Sequence, residues 1–198
     1  MFVQVIEGKC SDADALHERL DIWQRDLMAG AIGYLGSTAG VTDSGDCIIM
    51  VRFESEDAAR RNSERPEQDA WWQETAKCFT GPATFHDTSD VQVMRECDSD
   101  EAHFVQVMEG HVDDVGKAHE LEDRTAPLLA EQRPDLMGAY TAYHGDGYTT
   151  VAYFTDEASA REGEKRQPPE DLTAEMNAVM PVERYLDLRD PWVASAHV

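Results

Sequence analysis

Phe2-Val3-Gln4-Val5-Ile6-Glu7-Gly8 recurs as Phe104-Val105-Gln106-Val107-Met108-Glu109-Gly110, 102 residues further along the chain. At the same offset His17-Glu18 matches His119-Glu120, Asp21 matches Asp123, and Leu35-Gly36 matches Met137-Gly138. Beyond them the offset falls to 101, where Phe53 matches Phe154, Glu56 matches Glu157, Ala59-Arg60 matches Ala160-Arg161 and Glu74 matches Glu175. The lost residue falls between Gly36 and Phe53, a stretch that holds the turn-rich Thr42-Asp43-Ser44-Gly45-Asp46. A slip inside a strand sends every following side chain to the opposite face, whereas a hairpin turn absorbs it. The chain reads as a tandem duplication with a hairpin at that point.

Each copy carries the same series of elements. Residues 2–7 alternate as a strand, and Ser11 or Asp12 offers an N-cap to a helix. Along that helix Ala13, Leu16, Leu20, Trp23 and Leu27 recur at three- and four-residue steps, giving one apolar face. Residues 33–41 and 47–53 form a strand pair about Gly45-Asp46, repeated by 138–144 and 148–154 about Gly145-Asp146-Gly147. Ser55 and Asp156 cap a second helical stretch, which Pro66 and Pro168-Pro169 interrupt. Trp72, Ala76 and Phe79, like Leu172, Met176 and Val179, continue it at helical spacing, and strands near 83–87 and 183–188 close the copies.

Strand–helix–strand–strand–helix–strand is the ferredoxin-like βαββαβ unit, an α+β arrangement. The repeats span 1–94 and 104–198, the latter with a C-terminal tail, and the polar segment 95–103 is the linker. The third strand is apolar on both faces: Ile49, Val51 and Phe53 point one way, Ile48 and Met50 the other. A half-solvated antiparallel sheet alternates polar and apolar residues, so its second face calls for a cover. The second copy supplies one, which predicts two antiparallel sheets packed face to face as a fused dimeric α/β barrel, with a cavity between them. Val91, Val93 and Met94 read as an extra strand added to the other copy's sheet.

Bulk composition narrows the function. Forty acidic against seventeen basic residues leave a net charge of −23, with no Lys/Arg cluster to offset it. Such a field repels nucleic-acid backbones and anionic membrane surfaces. Phe2 follows Met1 at once in a strand-like run, without a basic segment or a long apolar stretch, so neither a signal peptide nor a membrane helix is expected. Cys10, Cys47, Cys78 and Cys97 are scattered without metal-ligand spacing and read as cytosolic thiols. The expected location is the cytoplasm.

Gly33-Tyr34-Leu35-Gly36 entering the second strand and Phe53-Glu54-Ser55-Glu56-Asp57-Ala58 leaving the third resemble the antibiotic biosynthesis monooxygenase-like dimeric α/β barrels. Arg65-Pro66-Glu67-Gln68 with Trp71-Trp72, and Phe85-His86-Asp87 with Asp90-Val91, resemble an actinobacterial branch in which two copies are fused. The resemblance covers nearly the whole chain and is carried by structural motifs. It implies either cofactor-independent oxygenation of quinols and polyketides or haem degradation. Haem-degrading members use an Asn on the first strand with a Trp and a His on the second helix. Here the strand ends in Glu7-Gly8 and the helix reads Gln73-Glu74-Thr75-Ala76-Lys77, a departure that counts against haem. No cofactor and no metal are expected.

The candidate catalytic residues are His17, His119 and Glu122. Both histidines lie one residue past a core-facing position, at the edge of the apolar stripe, where an imidazole serves as a general base or simply as a half-exposed side chain. Glu122 replaces Leu20 on the core-facing row, and Thr125 replaces Trp23. A carboxylate there needs a partner such as His119 or a wet cavity, unless the helix turns Leu121 inward instead. Candidate substrate-binding residues are Gln4 and Gln106, mid-strand amides suited to a carbonyl or hydroxyl, with Trp23, Trp71 and Trp72 as aromatic walls or plain core. His86, Tyr143 and His144 are weaker candidates. Two functions stand: a cofactor-independent monooxygenase acting on a small aromatic, quinol or polyketide-like molecule, and a non-catalytic, stress-associated scaffold that binds a small hydrophobic ligand. Further homodimerisation of the fused pair stays open.

Overall fold

The computed structural model describes residues 1–95, 99–166 and 168–196. Cys97 and the middle of the linker lie outside the described residues. The first copy runs β1 (Phe2–Lys9), α1 (Ala13–Asp26), β2 (Tyr34–Val41), β3 (Asp46–Phe53), α2 (Glu56–Ser63), α3 (Pro66–Thr75) and β4 (Thr84–Thr88). A short β5 (Val91–Arg95) follows it. The second copy repeats the order as β6 (Phe104–His111), α4 (Val115–Gln132), β7 (Leu136–His144), β8 (Gly147–Phe154), α5 (Glu157–Glu164), α6 (Glu170–Val179) and β9 (Val182–Leu188), and β10 (Trp192–Ser195) ends the series.

Local chemistry accounts for the boundaries. Asp12, Ser55 and Asp156 each accept a hydrogen bond from a backbone N–H in the first helical turn, at 2.9, 3.2 and 2.7 Å. Of the two residues offered for the first cap, Asp12 takes the role and Ser11 Oγ donates instead to the Cys78 carbonyl. Pro66 opens α3, where its missing N–H costs nothing. Gly45 and Gly145 take left-handed backbone conformations in the two hairpin turns, φ +81° and +58°.

Two five-stranded antiparallel sheets result, in the orders β10-β2-β3-β1-β4 and β5-β7-β8-β6-β9. The expected extra strand is β5, which pairs with β7 of the second copy, and β10 makes the reciprocal pairing with β2 of the first. The compact units are accordingly Met1–Ser89 with the segment from Trp192, and Asp90–Pro191. In the first unit the Phe2/Ile6 and Ile49/Phe53 face packs against Leu16, Trp23 and Leu27 of the helical layer. The opposite face, including Val3, Val5, Ile48 and Met50, is also fully buried. The second sheet repeats the pattern, with β8 buried from Tyr148 to Phe154. No helix among the described residues is long and apolar enough to cross a membrane.

Candidate functional site

Each unit holds a cavity between its sheet and its own helices, and the two differ greatly in size. The first measures about 180 Å³ and the second about 650 Å³. The sequence predicts a cavity between the two sheets, without deciding which face of the strands carries the glutamines. Gln4 and Gln106 instead line these helix-side cavities, because they share a strand face with Phe2/Ile6 and Phe104/Met108.

The first cavity is small because tryptophans occupy the helix-side space. Trp23 Nε1 donates to Gln68 Oε1 at 2.6 Å and Trp71 Nε1 donates to the Arg19 carbonyl at 2.7 Å, so both polar edges are satisfied within the protein. Trp23 packs on Tyr34 and Trp71, while Trp72 contacts Trp71, Phe79 and Phe85. Trp23, Trp71 and Trp72, read from the sequence as aromatic walls or plain core, line this cavity and also pack largely against one another. In the second copy Thr125 stands where Trp23 does, its hydroxyl turned back to the Glu122 carbonyl at 3.3 Å.

Glu122 lies on the wall of the larger cavity. Leu121 is buried beside it, so the helix presents both residues to the sheet rather than choosing between them. Glu122 Oε1 accepts from Thr141 Oγ1 and Oε2 accepts from Tyr143 Oη, both at 2.6 Å. Burial raises the Glu122 pKa above the ordinary carboxylate value, while the Thr141 and Tyr143 hydrogen bonds and the nearby His119 pull it back. Burial and the Glu122 charge push the Tyr143 phenol strongly upward, keeping it a hydrogen-bond donor.

Of the alternatives offered for Glu122, pairing with His119 is not the one formed, since its two oxygens take Thr141 and Tyr143. His119 Nε2 lies 2.9 Å from Asp90 Oδ1 without hydrogen-bond alignment, and its ring meets Tyr143 edge-on at 4.8 Å. His119 thus stands behind Tyr143 and outside the cavity lining. His17 is exposed, stacked on Trp192 at 4.5 Å and 3.7 Å from Asp21. It lines neither cavity.

The other polar group of the large cavity forms around Gln106. Its Nε2 donates to Asp187 Oδ1 at 3.0 Å and to Glu164 Oε1 at 3.3 Å. Arg161 joins both carboxylates and Glu157, with its guanidinium 5.2 Å above the Phe104 ring. The first copy retains the core of this arrangement, since Gln4 Nε2 donates to Asp87 Oδ1 at 2.9 Å. Asp87 and Asp187 were missed as partners in the sequence. Antiparallel pairing places each directly opposite its glutamine, across more than 80 residues of chain. Cys10, Cys47 and Cys78, which looked scattered, meet in one apolar cluster where burial raises their thiol pKa values.

No family model matches the chain, and no curated protein matches it. Solved structures do share its fold. A candidate monooxygenase from Lactobacillus acidophilus superposes with a TM-score of 0.70 at 12% identity, covering 98% of this chain and 99% of that one. A candidate monooxygenase from Fusobacterium nucleatum gives 0.76 at 10% identity, covering 98% and 94%. An anthrone oxidase-like protein gives 0.64 at 14% identity, covering 100% and 94%. At these identities the likeness is one of fold, and chemistry rests with the residues of the site.

Proposed function

We propose that the chain is a cofactor-independent monooxygenase whose working site is the helix-side cavity of the second copy. The observation that carries this reading is Glu122, a carboxylate of raised pKa held by two short hydrogen bonds on the wall of a largely apolar 650 Å³ space. That volume falls in the range of sites for small organic ligands, roughly 300–1,000 Å³. A buried carboxylate with its pKa moved toward neutrality is suited to proton abstraction. The resemblance to antibiotic biosynthesis monooxygenase-like barrels, in the fused actinobacterial form, supports the reaction class. The anthrone oxidase-like protein of the same fold adds a substrate type to examine first. A cytoplasmic location fits this chemistry.

For an activated aromatic CH2 the steps balance without a bound cofactor. Glu122 takes a proton, and the carbanion transfers its electrons to O2 as a C–O bond forms. The peroxide takes up the proton and then eliminates water, leaving a carbonyl: CH2 plus O2 gives C=O plus H2O. Apolar walls keep bulk water from the carbanion. Oxygen uptake across anthrones, phenols and quinols tests the proposal. At least one substrate should turn over, and Glu122→Gln should lower kcat/KM by about a hundredfold or more, the usual contribution of a general base. A substrate that turns over equally well with Glu122→Gln would overturn the assignment. The scaffold reading draws on the tryptophan-lined first cavity, and binding without oxygen uptake across the panel would favour it.

A further inference from the structure

The smaller cavity differs from the larger in chemistry as well as in size. Six aromatic side chains line its volume of about 180 Å³: Trp23 from α1, Trp71 and Trp72 from α3, and Tyr34, Phe53 and Phe85 from the sheet. Their planes meet at 44° to 73°, with centroids 4.9 to 6.5 Å apart, and none of these contacts is a parallel stack. Rings inclined in this way wall a space rather than pile into a slab. Trp23, Tyr34, Phe53 and Trp71 are buried, and the indole N–H groups of Trp23 and Trp71 are spent inside the protein.

Charge separates the two cavities further. Among the described residues no Lys, Arg or His lines the first, and Asp69 brings a carboxylate to it. Arg133, Arg161 and Arg166 line the second. The copies differ in where they send one arginine. Arg60 occupies in α2 the position that Arg161 occupies in α5. It is nevertheless exposed, held by Asp57 and Glu64 at 2.6 Å, and absent from the lining. Arg65 donates to Asn62 Oδ1 and Arg19 to the Trp71 carbonyl, but neither enters the lining, and Glu67 pairs with Arg65.

Aromatic ring faces are electron-rich and hold a cation most strongly where water is excluded. The acidic chain, of net charge −23, draws cations toward it. A primary ammonium or a guanidinium would bring N–H groups that need partners among these rings, at a cost. A fully methylated ammonium has none. The cavity is close in volume to the roughly 150 Å³ that takes one benzene-sized molecule, enough for a single such head group and too small for a fused ring system.

We infer that the first copy's cavity is an aromatic cage that binds a methylated ammonium head group, with Trp23, Trp71 and Trp72 as walls and Asp69 as the opposing charge. The cage lies in the first unit, so its occupancy stands whether or not the second copy's cavity turns over a substrate.

Isothermal titration of the intact chain at about 0.15 M salt, where weak surface attraction is screened, compares choline with 3,3-dimethylbutan-1-ol. The alcohol has the same shape, with carbon in place of the charged nitrogen. Choline should bind at least about tenfold more tightly, as a cation held against desolvated rings does. Trp72→Leu, which alters a half-buried wall, should weaken choline about fivefold or more. Asp69→Asn, which keeps an acceptor for Gln73, should weaken it about two- to threefold. Thermal unfolding checks that both variants are folded, and the two ligands on the unaltered chain decide the matter even where a variant is not. Equal or tighter binding of the alcohol, or no measurable binding of choline, would overturn the inference. So would choline binding that both folded variants leave unchanged, since the ion would then sit elsewhere on the acidic surface.

Discussion

At Glu122 a carboxylate stands where the first copy has Leu20, and its surroundings define what it can do. Thr141 and Tyr143 lie on one strand of the sheet and approach its two oxygens together, so the carboxyl group is fixed in direction as well as in place. Burial is the larger influence on its pKa, which stands above the ordinary carboxylate value of 4.5. The sign of the stability effect follows. A group that binds its proton more tightly folded than unfolded stabilises the fold below its unfolded pKa, and that contribution disappears as pH rises through the folded value. Glu122→Gln removes the titration, so its Tm relative to the parent chain should rise as pH climbs above the ordinary carboxylate value of 4.5, the interval in which a carboxylate of raised pKa ionises. Differential scanning calorimetry at several pH values reads this directly. A difference that is flat with pH would mean that Glu122 titrates normally. If Glu122 acts as base, turnover should climb over the same interval, since the ionised form does the work.

Among the elements, β1 and β6 carry the repeated motif, and its last residue has a packing reason in each copy. A side chain on Gly110 would press a Cβ into the Pro181 carbonyl oxygen, which is backbone and cannot turn aside. On Gly8 it would meet the Phe79 ring at 2.6 Å, a side chain rather than backbone. Gly110→Ala should therefore cost about 2–3 kcal/mol, as overpacking of a fixed site does, and Gly8→Ala distinctly less. Urea unfolding of the two variants checks this, and equal losses would contradict it. The same strands show what the sequence made legible. Element order, the hairpin turns and the doubly apolar β3 follow from local patterns of turn residues and period-two alternation. The side of the sheet on which the cavities lie did not, because β1 carries large apolar residues on both faces, Phe2 and Ile6 on one and Val3 and Val5 on the other. Neither did the partners of the glutamines. Asp87 and Asp187 meet them only through antiparallel register, and Asp90 reaches His119 only because β5 joins the second sheet. The candidate site was half visible: Glu122 and Gln106 stood out as polar residues on apolar rows and Tyr143 only as a weaker candidate, whereas Thr141 carried no signal until the fold set both against Glu122.

At the scale of the whole molecule, duplication has been followed by specialisation. Both copies keep the sheet order, the caps and the Gln–Asp pair. Their cavities are not alike: tryptophans narrow one, and the other is open around a carboxylate. Trp23 against Thr125 is the exchange at the centre of that difference. The central claim is therefore that the chain has one cavity for its aromatic substrate, in its second copy. Calorimetric titration with the tightest-binding member of the anthrone, phenol and quinol panel gives the stoichiometry directly, and Thr125→Trp tests the location by giving the second copy the residue that narrows the first copy's cavity. One ligand per chain, lost in Thr125→Trp with the fold retained, is the expected result; two ligands per chain, or binding unchanged by Thr125→Trp, would contradict the account.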